Sequence, residues 1–185
     1  MKRFLGVTAG ALLFLPAAGR AQQSTTVQPM QMSALAAAMK QIGDRAMRNM
    51  PAAGDDMPAE KFSFKPSPQQ MSFAEIMAHE ASANETLCAG LAGGTATPNE
   101  STAGATAPKE QLVARLRKSF EYCSSIVASI TDAGLGDSVP FFGGRKATKA
   151  RAIIALAQDW ADHYAQAAMY LRLNGILPPS ARGQR

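Results

Sequence analysis

Aromatic residues make up only 6% of the 185-residue chain, with one tryptophan, two histidines and two cysteines. No stretch alternates apolar and polar residues between turn signals, which argues against a sandwich or barrel of strands. Cys88 and Cys123 are too few for a disulfide-built scaffold, although a pair between them is permissible in an exported chain. A four-cysteine zinc pattern, a phosphate-loop spacing, a Ser-His-Asp order and internal repeats are all absent. Beyond the first twenty or so residues, no apolar run approaches the roughly 20 residues that a membrane span needs.

The first segment stands apart. Lys2 and Arg3 precede an apolar run from Phe4 to Ala18, and Gly19-Arg20-Ala21 gives a small-x-small exit. Residues 1–21 read as a secretory signal cleaved near Ala21, so the protein is expected to be exported, periplasmic or secreted. A membrane anchor is the rival reading, but the run is short and Pro16 and Gly19 interrupt its end. Three of the 19 basic residues and none of the 14 acidic ones lie there, so cleavage lowers the charge from +5 to +2 (16 less 14). That balance removes most of the support that the high pI gives to nucleic-acid binding, which needs clustered cationic surface. The expectation is no nucleic-acid partner and no stable membrane anchor after cleavage. The 164 residues left (185 less 21) suit one domain with a real core and exclude the large barrel enzymes.

Helical spacing occurs four times. The first candidate runs from Pro29 to Asn49 and is expected to end at Pro51 and Gly54. The second runs from Ser72 to Leu91, where Ser72 and Glu75 have capping-box spacing. The third runs from Pro108 to Thr131 with a stripe through Leu112, Leu116, Phe120, Cys123 and Val127. The fourth runs from Thr148 to Asn174, with Gly175 placed to close it and Pro178-Pro179 to prevent a restart. Four amphipathic helices imply an all-α four-helix bundle over residues 29–182, after a flexible segment at 22–28.

The connections differ in kind. Gly54 to Pro68 carries Phe62 and Phe64, which is too aromatic for a loose tether, so it is expected to pack across the bundle. Gly93 to Ala107 is low in complexity and expected to be mobile. Asp132 to Gly144 is turn-rich, with Phe141-Phe142 as the expected plug.

The two histidines stand beside apolar faces. With Asp159 at zero on the fourth helix, His163 falls at about +40°, on the shoulder of the stripe formed by Ile153, Leu156, Trp160, Tyr164 and Leu171. A carboxylate and an imidazole at i, i+4 can reach one metal ion. His79, the other histidine, lies on the shoulder of the second helix. His79, Asp159 and His163 would form a two-histidine, one-carboxylate set of the kind that serves iron(II) or catalytic zinc. The bland reading is a pair of hydrogen-bonded histidines beside a core, with Asp159 as an ordinary partner of His163.

At this point the residues resemble a family. Ser72-Phe73-Ala74-Glu75-Ile76-Met77-Ala78-His79, followed by Asn84 and Leu87-Cys88, is similar to the second helix of DinB-like (DinB/YfiT superfamily) proteins. Met57 to Pro66 resembles their proline-bearing connection. Asp159 to His163, Tyr164, Tyr170-Leu171-Arg172 and Asn174 to Pro179 resemble their last helix and tail. The resemblance covers nearly all of residues 29–182. It implies a four-helix bundle, usually a homodimer, that holds one divalent metal (zinc, nickel, iron or manganese) through His79, Asp159 and His163. Many members have histidine where this chain has Asp159, although carboxylates occur there in relatives such as the mycothiol-dependent maleylpyruvate isomerases. Family activities often join a low-molecular-weight thiol to an electrophile or isomerise through one. Export favours water or another small nucleophile over a cytosolic thiol, acting on a small-molecule substrate of unknown identity. A metal-free structural or binding bundle is the alternative. DNA binding, which the family name suggests, is opposed by charge and export.

Four lesser candidates carry a bland reading as well. Glu80 falls on the apolar stripe of the second helix, where it could be a general base or an extra ligand. The favoured reading rotates the helix and leaves Glu80 at the rim. Cys88 and Cys123 fit a disulfide and two buried thiols equally. Met30, Met32, Met39, Met47, Met50 and Met57 could hold copper(I) but follow core spacing. Arg145, Lys146, Lys149 and Arg151, beside Gly143-Gly144, could meet an anionic substrate, but read more simply as a solvated face.

Overall fold

A computed structural model describes residues 33–94 and 104–182 of the chain. The signal-like segment 1–21, the stretch 22–28, Met30, Met32 and most of the low-complexity connection lie outside them. Four helices dominate: α1 (Ala34–Asp56), α2 (Phe73–Leu91), α3 (Lys109–Ala128) and α4 (Lys149–Leu173). Among the described residues no helix is long and apolar enough to cross a membrane.

Local chemistry accounts for most boundaries. The Ser72 hydroxyl accepts the Glu75 N–H, and the Glu75 carboxylate accepts the Ser72 N–H, so both halves of the capping box form. Pro108 immediately precedes α3. Thr148 caps α4 by accepting the Arg151 N–H, and Gly175, at φ 73°, turns the chain away after Asn174. The first helix departs from expectation at both ends. Ser33 caps it by accepting the Ala36 N–H, and it continues through Pro51 and Gly54 to Asp56. Pro51 removes one ladder hydrogen bond, but its ring is buried in the core, so the interruption is tolerated. Gly54 lets α1 approach α3 closely, since a Cβ there would come within 2.7 Å of Val113 Cγ2.

The helices form a ring in which α1 neighbours α3, α3 neighbours α2, α2 neighbours α4, and α4 neighbours α1. Consecutive pairs α1/α2 and α3/α4 therefore lie on diagonals, and their connections must cross an end of the bundle. The first crossing is the aromatic segment expected to pack. Phe62 is buried and edge-on to Phe73, while Phe64 is edge-on to Tyr170. The second contains a short antiparallel hairpin, β1 (Ser138–Pro140) with β2 (Lys146–Thr148), which the absence of alternating runs did not foretell. Val139 is its buried residue, whereas Phe141 and Phe142 are only half-buried.

One core runs through the ring, with Met50, Met57, Phe73, Met77, Leu87, Leu116, Phe120, Leu156 and Leu171 among its largest fully buried side chains. Met39, Met50 and Met57 pack within it. Cys88 of α2 and Cys123 of α3 form a disulfide with Cα atoms 5.4 Å apart, which decides between the two readings of the pair.

Candidate metal centre

Because α2 and α4 are neighbours, residues 80 to 84 positions apart in the chain come together. The His79 and His163 rings stand edge to face with centroids 4.4 Å apart. His163 Nε2 lies 3.4 Å from Asp159 Oδ1, one turn earlier on α4. Each of His79, Asp159 and His163 offers one ligand atom, and the three atoms lie within 4.8 Å of one another. His163 is buried; His79 and Asp159 are half-buried.

The set has the donor chemistry of a divalent-cation site. The Nδ1 atoms of both histidines and Oδ2 of Asp159 are buried without a hydrogen-bond partner, so the polar demand of the cluster is unmet by protein. Burial is the main influence that pushes the His79 imidazole below its ordinary pKa; the nearby His163 adds to this and the Asp159 charge opposes it. A neutral imidazole is the form that donates to a metal.

Glu80 departs from expectation. It does not sit at the rim: it is 0% exposed, and neither carboxylate oxygen has a hydrogen-bond partner. Burial drives its carboxyl far above the usual range, and the charge of Asp159 drives it in the same direction.

Below the cluster, a polar clip holds three helices in register. Trp160 Nε1 donates to Asn84 Oδ1 at 2.6 Å, and Asn84 Nδ2 donates to Ser119 Oγ at 3.1 Å. Ser119 Oγ in turn donates to the Leu116 carbonyl at 2.8 Å. Trp160 adjoins Asp159 and Asn84 lies one turn beyond Glu80, so the clip sets the rotation of α4 against α2. Tyr170 OH donates to the Met71 carbonyl at 2.8 Å and ties the other end of α4 to the start of α2. Sequence spacing placed Trp160 only in an apolar stripe; the adjacency of an indole N–H and a buried amide on another helix has no one-dimensional signal.

Two members of the basic group at the start of α4 stack on an aromatic ring. The Arg145 and Arg151 guanidinium groups lie over the Phe141 ring at 5.9 and 5.6 Å. A separate open groove of about 310 Å³ runs along α4 past Gln70, Asp162, Gln166 and Met169, and none of the three clustered residues lines it.

Solved structures share this architecture. A DinB-like protein from Bacillus cereus ATCC 10987 is 16% identical with a TM-score of 0.59, covering 76% of this chain and 93% of its own. A conserved protein from Enterococcus faecalis is 19% identical with a TM-score of 0.61, covering 74% and 95%. A protein assigned to the DinB family from Exiguobacterium sibiricum 255-15 is 20% identical with a TM-score of 0.62, covering 78% and 95%. At these identities the likeness establishes the fold alone. No curated protein matches the chain. The family model of the DinB superfamily matches residues 43–167, more than half of the sequence, with His79, Asp159 and His163 all inside the match, and the chain therefore belongs to the DinB superfamily.

Proposed function

We propose that the protein binds one divalent metal ion through His79, Asp159 and His163 and uses it in an enzymatic reaction on a small molecule. The observation that carries this reading is the convergence of three donor atoms within 4.8 Å from two helices, each of the three residues also keeping a buried polar atom or a close ring contact in the cluster. Membership of a commonly metal-binding family supports it.

A cation held there supplies the Lewis acidity that generates a nucleophile from water or another small protic molecule near neutral pH. The residues of the chain do the rest. His79 and His163 present imidazole nitrogens as donors, and Asp159 offers a carboxylate oxygen, a donor set that favours a cation. The Asn84–Trp160 hydrogen bond holds Asp159 and His163 toward α2 instead of toward solvent.

The setting we propose is an exported one. The signal-like segment motivates it, and the Cys88–Cys123 disulfide fits an oxidising compartment. A homodimer is part of the same proposal, resting on the family resemblance alone.

Elemental analysis of the purified chain after loading tests the metal. About one ion per chain and a raised melting temperature are expected, and His163→Ala should lose both. Less than roughly 0.2 ion per chain with no thermal shift would reject the proposal in favour of a metal-free bundle.

A further inference from the structure

We propose that Glu80 is a fourth member of this metal centre, a counter-charge set beside the three converging donors. The inference rests on the metal-binding reading above and assigns it a second carboxylate.

Glu80 follows His79 on α2 and is turned about 100° around the axis, into the interior and not toward the surface. It is the only carboxylate among the buried polar side chains of the described residues. Of the other buried polar side chains outside the cluster, Asn84 and Ser119 bond one another, Ser82 accepts from Arg115, and Ser72 is engaged in its cap. Glu80 has neither a hydrogen bond at either oxygen nor an ion pair.

A dry, unpartnered carboxylate is costly, and packing alone would be served better by leucine at this position. A cation would relieve that cost, and Glu80 is next in the chain to His79, one of the three residues whose donor atoms converge on a common point. Two neutral imidazoles and two carboxylates around a divalent ion sum to zero charge; with Asp159 alone the sum is +1. A buried centre of zero net charge is the cheaper arrangement in a low-dielectric interior. Two oxygen-bearing and two nitrogen-bearing groups suit zinc, iron(II) or manganese(II) and disfavour copper(I).

Zinc titration calorimetry at pH 7 on wild type, Glu80→Gln, Glu80→Leu and His163→Ala tests this, with thermal unfolding of each metal-free protein. The expected result is a zinc dissociation constant raised at least tenfold in both Glu80 variants. Metal-free Glu80→Leu should melt above wild type, since it sheds a buried carboxyl group with no hydrogen-bond partner. Zinc affinity within twofold of wild type in the Glu80 variants would overturn the inference while leaving the three-residue site standing. Wild type that takes up no zinc would overturn both. If the leucine variant fails to fold, the near-isosteric glutamine decides alone.

Discussion

The indole N–H of Trp160 and the side-chain carbonyl of Asn84 meet at 2.6 Å across the α2/α4 interface, immediately below the histidine pair. Asn84 spends its other end on Ser119 of α3, so one amide joins three helices in a region otherwise filled by apolar side chains. A buried polar contact of this kind tolerates no sliding, because a shift of one residue strands both partners.

Replacing Asn84 by alanine should therefore destabilise more than the loss of its volume suggests. Each stranded group costs about 1–3 kcal/mol. Denaturant unfolding checks the size of the loss. Trp160 is the chain's only tryptophan, so its emission reports the vacancy directly and should shift as the indole loses its acceptor.

The disulfide lies one turn beyond the clip on both helices, Asn84 to Cys88 and Ser119 to Cys123. Closing a loop of this size stabilises by about 2–4 kcal/mol. A double Cys88→Ala, Cys123→Ala variant is expected to fold but to melt lower, by several degrees in a chain of this length. Equal melting of the variant and the oxidised protein would refute that.

The capping box gives the fold an acid-sensitive element. The Ser72 N–H, followed by Lys65 at 3.0 Å, holds the Glu75 carboxyl down from 4.5 to about 2. A carboxylate whose folded pKa is depressed contributes stability that is present above the unfolded value and lost as pH falls through the folded one. Its contribution should thus be complete above about pH 4.5 and fade between there and about pH 2. Glu75→Ala should flatten that part of the melting-temperature profile while lowering the plateau near neutral pH. A parallel profile for variant and wild type would contradict the assignment.

Gly90 seats the hairpin on α2. A Cβ there would stand 2.6 Å from the Pro140 carbonyl oxygen, which belongs to backbone and cannot swing aside. Gly90→Ala is expected to destabilise by about 1–3 kcal/mol despite alanine's better helix propensity. Hydrogen exchange would show the loss concentrated at Ser138–Pro140 and Lys146–Thr148.

Much of this could be read from one dimension because the signals were local. Ser72 with Glu75, Thr148 at the fourth helix and Gly175 after it each act within a few residues, and helical periodicity put Asp159 and His163 on one face. Relative angles on a wheel do not reveal which neighbours cover them. Glu80 was assigned to the rim because a bare carboxylate in a core is costly, and the interior accepts it nonetheless. Pro51 read as a stop, since its burial against other helices is a tertiary fact. Three-residue strands are too short to show an alternation, so the hairpin left no trace.

The ring order has a consequence for how the protein comes into being. The two helices that carry the cluster pack directly on one another although α3 separates them in the chain, and two of the three clustered residues, Asp159 and His163, lie on α4, the last of the four helices. A nascent polypeptide lacking α4 offers a lone imidazole and no chelate. The cluster is therefore incomplete until α4 has docked on α2, and under the proposed metal binding a product truncated before α4 should sequester no ion.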